Sequence, residues 1–314
     1  MSLETDLLLD RRRLKRRLSY WRVATVLAVL VAGTALLARS GAVVGGRHVA
    51  RLTISGIITE DRKLTEAVTK AAKDPLVVAL IVSVNSPGGS VAGGESLHEA
   101  IKAVAATKPV VAVMGGTAAS AGYMVSVPAA RIFAREATLT GSIGVILETG
   151  EASGLLSKLG LTAEAITSGP LKDQPSFTHG LSPQGRDVLH ALVLDMYDQF
   201  VGMVAEGRHM SPDQVRALAD GRAYTGRQAL KLGLIDAIGG EGEARVWLAE
   251  QRNIAQTVPV QELRADSLAA RTFGASLGGA FGEALKAVIG QRLTLDGAWS
   301  IWQPSALSAT SDGP

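Results

Sequence analysis

Residues 76–90 read LVVALIVSVNSPGGS, a continuous apolar run that ends in a stretch rich in serine, proline and glycine. A run of this length with many β-branched residues is typical of a strand that is buried on both faces of a parallel sheet. A segment with helical spacing, 95–106, and a second apolar run, 110–114, follow it. Strand, helix and strand with short connections predict βαβ units and a parallel sheet.

Composition and flanking segments extend this interpretation to an α/β domain. The chain has 314 residues, of which 47% are hydrophobic, 35 are glycine and few are aromatic, which favours helices packed closely on a sheet. Further predicted elements are strands at 48–58, 131–135 and 162–167 and helices at 63–73, 182–207 and from 211 onward. We therefore expect one domain over residues 48–265 and a C-terminal tail, 266–314, of unassigned role.

The N-terminus predicts a membrane anchor. Residues 1–22 are strongly basic, and residues 23–44 are apolar with Tyr20 and Trp21 at their edge. A positive flank, interfacial aromatics and an apolar core are typical of a transmembrane helix whose N-terminus stays in the cytoplasm. A signal peptide cleaved near 40–42 is the alternative, but the apolar run is longer than the usual signal core. We favour the retained anchor, with the domain in the periplasm or outside the cell, over a nucleic-acid-binding role for the basic residues.

Ser120 is the candidate nucleophile. It lies in the segment 115–124, GGTAASAGYM, where a strand is predicted to turn into a short helix and few bulky residues surround it. A serine hydroxyl needs a neighbouring base to remove its proton. The five histidines lie outside the glycine-rich turns and are interpreted as structural, and the absence of cysteine excludes thiolate chemistry. The Gly-x-Ser-x-Gly pattern of a nucleophile elbow is also absent, because Ala118 stands at its first glycine.

Lys172 is the candidate general base. It lies in the turn SGPLKD at 168–173, which follows the strand predicted at 162–167. A lysine can accept a proton when burial disfavours its charged form. Asp173 must then point away, because a carboxylate beside the amine would stabilise the ammonium ion. The pairing of Ser120 with Lys172 is therefore a hypothesis that depends on how this turn is placed.

Two glycine-rich loops supply candidate oxyanion donors. Loops 85–90 and 115–122 follow neighbouring strands, and the carboxyl ends of parallel strands meet at one edge of a sheet, so the loops should line one crevice. Gly89 exposes its backbone N–H without a Cβ, and Ala121 offers an N–H at a helix start. Both donors suit the negative charge that develops on a carbonyl oxygen during acyl transfer.

Five motifs in this order resemble those of the signal peptide peptidase A family of serine peptidases, family S49 of the ClpP/crotonase superfamily. They are NSPGGS at 85–90, AASAGY at 118–123, TGSIG at 140–144, SGPLKD at 168–173, and GRAYTGRQA at 221–229 followed by LGLID at 232–236. The resemblance covers roughly residues 50–250. It implies a ClpP/crotonase-like fold of repeated ββα units with a parallel sheet.

The resemblance also implies site roles and partners. Ser120 would be the nucleophile, Lys172 the general base and Ser142 a hydroxyl that orients the lysine, with no metal or cofactor. The substrates would be signal peptides and other extended apolar peptides. The chain would form homo-oligomers, in which a neighbouring subunit can bring the lysine to the serine. Ala121 stands where many relatives have glycine, and its Cβ leaves less space for a substrate to approach its N–H.

Three other functions remain open at this point. The first is a peptidase of the same superfamily that cuts one membrane protein, as the stomatin-cleaving peptidases do. The second is a crotonase-type acyl-CoA enzyme, which the membrane anchor and the Lys172 motif disfavour. The third is a scaffold without activity, which the presence of Ser120, Ser142 and Lys172 together disfavours.

Overall fold

A computed structural model describes residues 46–263, residues 299–301 and six residues of the N-terminal segment, 20, 21, 24, 25, 27 and 28. The chain divides into two units, Met1–Gly46 and Arg47–Pro314. The six N-terminal residues are helical. Most of the predicted transmembrane segment, 23–44, lies outside the described residues.

The second unit alternates strands and helices along its first half. The strands are β1 (His48–Ile58), β2 (Val77–Ser90), β3 (Val110–Ala119), β4 (Arg131–Ala134), β5 (Leu139–Gly141), β6 (Ala223–Thr225), β7 (Ala237–Ile238), β8 (Val260–Glu262) and β9 (Trp299–Ile301). The helices are α1 (Arg62–Lys73), α2 (Val91–Ala105), α3 (Ala121–Met124), α4 (Ser153–Lys158), α5 (Pro183–Arg208), α6 (Pro212–Leu218), α7 (Gly226–Lys231) and α8 (Glu241–Arg252).

The nine strands of the described residues form one mixed sheet. Its main order is β6-β5-β3-β2-β1-β8, with β4 between β3 and β7 and with β9 beside β2. Neighbours are parallel except β5 with β6 and β2 with β9. The predicted βαβ units and α/β class are confirmed. Most neighbouring strands are parallel, as expected, but the sheet is mixed because β6 and β9 run antiparallel to their neighbours. The chain leaves β5 at its carboxyl end and returns as β6 in the opposite direction after α5 and α6.

The sheet is covered on both faces, as the apolar run of β2 predicts. Leu80, Val82 and Val84 belong to one core cluster, and Ala79 and Ile81 belong to the cluster on the other face. The first cluster includes residues from helices α1, α2, α3 and α5, and the second is closed by α8. Since alternate residues of a strand point to opposite faces, a strand between two such layers must be apolar throughout.

Helix positions follow their sequence signals closely, whereas the strand ends do not. Ser182 caps α5 by accepting a hydrogen bond from Gly185 N–H, and Ser211 caps α6 in the same way. The glycine-rich stretches predicted as loops continue β2 to Ser90 and β3 to Ala119. Helix α2 therefore begins at Val91, earlier than predicted.

The prediction of a strand at 162–167 is wrong. These residues are irregular and exposed, and Ile166 is 98% exposed. Among the described residues, no strand pairs with this segment.

Helix α5 is the one described helix that is long and apolar enough to cross a membrane. Its C-terminal third belongs to the core, since Phe200 and Val204 are fully buried. Its last residue, Arg208, is only 8% exposed and makes a two-pronged ion pair with Asp236, at 2.7 and 3.0 Å. Asp236 also accepts a hydrogen bond from Ile132 N–H at 2.7 Å. These contacts identify α5 as part of the domain, with an exposed N-terminal half.

Candidate active site

Ser120 lies in a strained turn between β3 and α3. Its φ is 56° and its ψ is −121°, a conformation that costs a residue with a Cβ about 1–3 kcal/mol. Its N–H donates to Gly141 O at 2.8 Å, and the residue is 1% exposed. A sharp strand-to-helix turn at a serine is the geometry of a nucleophile elbow. The chain therefore forms this turn although it lacks the Gly-x-Ser-x-Gly pattern, which is the signal by which a sequence search would have found it.

Three hydrogen bonds hold α3 behind Ser120. Tyr123 Oη donates to Leu234 O at 2.8 Å, and Ser126 Oγ donates to Gly122 O at 2.9 Å. The Nδ1 atom of His98 lies 2.9 Å from Met124 O. Burial lowers the pKa of His98, so the neutral ring donates from Nδ1 to this carbonyl. The histidine and the LGLID motif thus have positioning roles that the sequence did not reveal.

Ser142 lies directly beside Ser120. Strands β3 and β5 are parallel, and their last residues, Ala119 and Gly141, lie opposite each other. Each of the two serines is the first residue after its strand. Ser142 also has a positive φ, 47°. It is held from the GRAYTGRQA motif, because its Oγ donates to Gly221 O at 3.1 Å and its N–H donates to Arg222 O at 3.0 Å.

The glycine edge, which we define as Gly88–Ser90 of β2, borders the Ser120 turn. The last pair between β2 and β3 is Ser86 with Ala118, two residues before Ser120. Gly88 has a φ of 118° and its N–H donates to Ser86 Oγ at 3.1 Å. The Gly88 N–H is thus engaged within its own turn. The structure thus brings together Gly89, Ser120 and Ser142.

Replacing Gly89 with alanine should disrupt this edge. A Cβ at Gly89 would lie 1.8 Å from Ile58 O, so β1 and β2 would have to separate. We expect a loss of about 1–3 kcal/mol in unfolding free energy together with most of the catalytic activity. Gly116→Ala is the matched control, since the nearest atom to its Cβ would be 3.6 Å away. Equal thermal stability of the two variants would contradict this account.

Lys172 lies apart from these groups in the single chain. It is exposed in the irregular segment between α4 and α5, where its N–H donates to Gly169 O. Within residues 46–263, no hydrogen bond joins its ammonium group to Ser120 or Ser142. Asp173 is engaged elsewhere, by His179 Nε2 at 2.8 Å and Ser176 Oγ at 3.3 Å.

The surface around Lys172 is unusually apolar. We call this surface the apolar flank; its exposed residues are Leu155, Leu159, Leu161, Ile166 and Phe177, with Val188, Leu192 and Leu194 on the first half of α5. A groove of about 530 Å³ opens between residues 145–149 and this half of α5. Where exposed apolar residues form a contiguous patch, the patch marks an interaction site more often than a solvated face.

Comparison with known proteins identifies the family. Residues 102–255 match Peptidase family S49. The chain is 39% identical over 204 residues to the putative protease slr0021 of Synechocystis sp., a match that covers 65% of this chain and 74% of that protein. The chain belongs to peptidase family S49. The chain is also 34% identical over 229 residues to the putative signal peptide peptidase SppA of Enterococcus faecium, a match that covers 68% of this chain and 67% of that protein.

Membership of family S49 makes the protein a serine peptidase, as the sequence predicts. A likeness is also found to the structure of ClpP1 from Listeria monocytogenes, with 19% identity and a TM-score of 0.39 over 60% of this chain and 91% of that chain. The S49 match contains Ser120, Ser142 and Lys172, and it begins after Gly89.

Proposed function

We propose that this S49 peptidase is a membrane-anchored endopeptidase that degrades remnant signal peptides with a Ser120–Lys172 dyad. The observation that carries the proposal is the strained Ser120 turn, which lies between the glycine edge and Ser142. A strained backbone conformation persists only where the surrounding structure enforces it, and such residues are concentrated at active sites.

In the acylation step, Lys172 Nζ removes the proton from Ser120 Oγ as the oxygen attacks the scissile carbonyl. The carbonyl oxygen becomes an anion, which the N–H groups of Gly89 and Ala121 stabilise. The C–N bond then breaks, and the leaving amine takes the proton from Lys172. Ser142 Oγ, beside Ser120, orients the lysine amine.

In the deacylation step, Lys172 removes a proton from a water molecule that attacks the ester on Ser120. The ester bond breaks, the peptide leaves with a new carboxylate, and Ser120 regains its proton. The two steps consume one water for each peptide bond.

The lysine comes from a neighbouring copy of the chain in this proposal. A lysine base must be removed from water, yet Lys172 is exposed and makes no hydrogen bond to Ser120 within the described residues. The apolar flank around it supports a second copy as the cover, because burying such a surface stabilises a contact between subunits. A single contact between two copies of the chain would then bury the apolar flank and bring Lys172 of one copy to Ser120 of the other.

The substrate class follows from the glycine edge and the N-terminal segment. The backbone of an extended peptide can pair with a strand edge, and the glycine edge would offer its backbone groups to such a peptide. The apolar N-terminal residues would hold the domain at the outer face of the membrane, where signal peptides remain after cleavage. The name of the Enterococcus faecium relative, a putative signal peptide peptidase, supports the same class.

Mass mapping of a synthetic signal peptide tests the function. The full chain in detergent should cut within the apolar core of the peptide, and a serine-reactive phosphonate should add to Ser120 and stop the cleavage. A polar peptide of equal length is the control for substrate class. Cleavage that continues after Ser120 is fully modified would overturn the proposal.

Two outcomes of the same assay would favour the alternatives. Much faster cleavage of a defined membrane-protein peptide than of signal peptides would indicate the stomatin-type function. Turnover of an acyl-CoA thioester without peptide cleavage would indicate the crotonase-type function.

A further inference from the structure

The carboxylate of Asp173, the residue after Lys172, is occupied by two other side chains. His179 Nε2 lies 2.8 Å from Asp173 Oδ2, and Ser176 Oγ donates to the same oxygen at 3.3 Å. Within residues 46–263, neither a hydrogen bond nor an ion pair joins Asp173 to Lys172. A lysine base requires this arrangement, because a carboxylate beside the amine would stabilise its ammonium form.

The imidazole ring of His179 lies between two hydrogen-bond acceptors. Its Nε2 contacts the Asp173 carboxylate, and its Nδ1 lies 3.2 Å from Gly180 O. Ionised carboxylates and carbonyl oxygens only accept hydrogen bonds, so both contacts form together only when each ring nitrogen carries a proton. The bond to Gly180 O raises the pKa of His179, and the bond to Asp173 and the charge of Glu151 act in the same direction. The contact is therefore strongest as a charge-assisted pair of imidazolium and carboxylate.

Further hydrogen bonds hold the segment that carries this ring. Ala152 N–H donates to Phe177 O at 2.9 Å, two residues before the ring. Gln174 Oε1, on the residue after the carboxylate, accepts a hydrogen bond from Ser182 N–H at 3.0 Å. Since Ser182 caps α5, the segment 173–182 closes into a loop on the start of that helix. The folded loop therefore sets the distance between the ring and the carboxylate.

We propose that His179 is a positioning residue that keeps the Asp173 carboxylate away from the Lys172 amine. The proposal rests on the proposed function, because it takes Lys172 as the base. Without the ring, Asp173 would keep only the longer contact with Ser176, and its carboxylate would be free to pair with the neighbouring amine. That pairing would hold the lysine as an ammonium ion and reduce the fraction able to accept the Ser120 proton.

The pH–rate profile of His179→Ala in the full chain tests this role. The ring is 46% exposed, so the variant should fold. We expect the acid limb, where kcat falls as the pH is lowered, to move up by about one pH unit, with full kcat recovered at alkaline pH. Below the limb, kcat should fall by about tenfold. A purely structural loss would lower kcat at every pH. His179→Gln keeps an N–H donor and should move the limb less.

Removing the carboxylate supplies the matched control. In an Asp173→Asn background, His179→Ala should leave the acid limb where Asp173→Asn alone puts it, because no carboxylate remains to pair with Lys172. An unshifted limb in the single His179→Ala variant would overturn the proposal. An equal shift in the presence and absence of the Asp173 carboxylate would also overturn it.

Chemical labelling separates this role from the proposed function. Acetic anhydride acetylates the neutral amine of Lys172, and mass spectrometry measures the product without any peptide cleavage. In His179→Ala this labelling should need a higher pH, whereas Lys158, at the end of α4, should be labelled as in the unaltered chain. If Lys172→Met still cleaves peptides, the proposed dyad fails. If Lys172→Met is inactive but His179→Ala leaves the labelling of Lys172 unchanged, the dyad stands and the role of His179 fails.

Discussion

Ser120→Ala should lower kcat for peptide cleavage by roughly a thousandfold or more, because in the proposed mechanism Ser120 alone forms the acyl-enzyme. The fold should survive, since the hydroxyl is not needed for the backbone bond from Ser120 N–H to Gly141 O. Near-wild-type circular dichroism with lost activity is the expected pair of results. Substantial residual cleavage would exclude Ser120 as the nucleophile.

Ser120→Gly adds a test of the strained turn. At ordinary positions glycine is less stable than alanine, but at a φ of 56° the order reverses, because glycine has no Cβ. We expect the glycine variant to be equally inactive and more stable than the alanine variant by about 1 kcal/mol. Thermal unfolding of the two variants measures the difference. The usual order, alanine above glycine, would show that the turn is not strained.

Lys172→Met removes the base and should reduce kcat by roughly a thousandfold, with little effect on folding because Lys172 is exposed. The methionine keeps most of the side-chain volume. Lys158→Met is the matched control, since Lys158 is also exposed and ends α4 in the same part of the chain. Similar losses in the two variants would point to an effect of charge rather than to catalysis.

Mixed oligomers reveal which subunit supplies the lysine. Ser120→Ala subunits keep Lys172, and Lys172→Met subunits keep Ser120, so each alone is inactive. If the lysine acts across a head-to-tail contact, equal mixing during refolding should restore about a quarter of wild-type activity. Mixtures that stay inactive would contradict the contribution of a neighbouring subunit.

Much of the fold could be predicted from the sequence, because burial and capping leave local signals. The apolar run of β2 indicated a strand covered on both faces, and Ser182 with Pro183 fixed the start of α5. The ends of β2 and β3 could not be predicted in the same way. Glycine there suggested turns, whereas Gly89 is required inside a strand by the close approach of Ile58 O.

The sequence yields a set of candidate site residues but not the geometry of the candidate site. The motifs indicated Ser120 and Ser142 as candidates, but the neighbouring sequence does not predict the positive φ of either serine. That conformation depends on pairing with distant residues such as Gly221 and Arg222. The prediction of a strand at 162–167 failed for the converse reason, since a strand also needs a neighbouring strand with which to pair.

Hydrogen bonds connect the end of α5 to α3 through the loop at 233–236. Arg208, at the end of α5, donates to Gly233 O and pairs with Asp236, and the adjacent Leu234 O holds Tyr123 behind the nucleophile. A tilt of α5, whose first half carries the apolar flank, therefore reaches the Ser120 turn through one short loop.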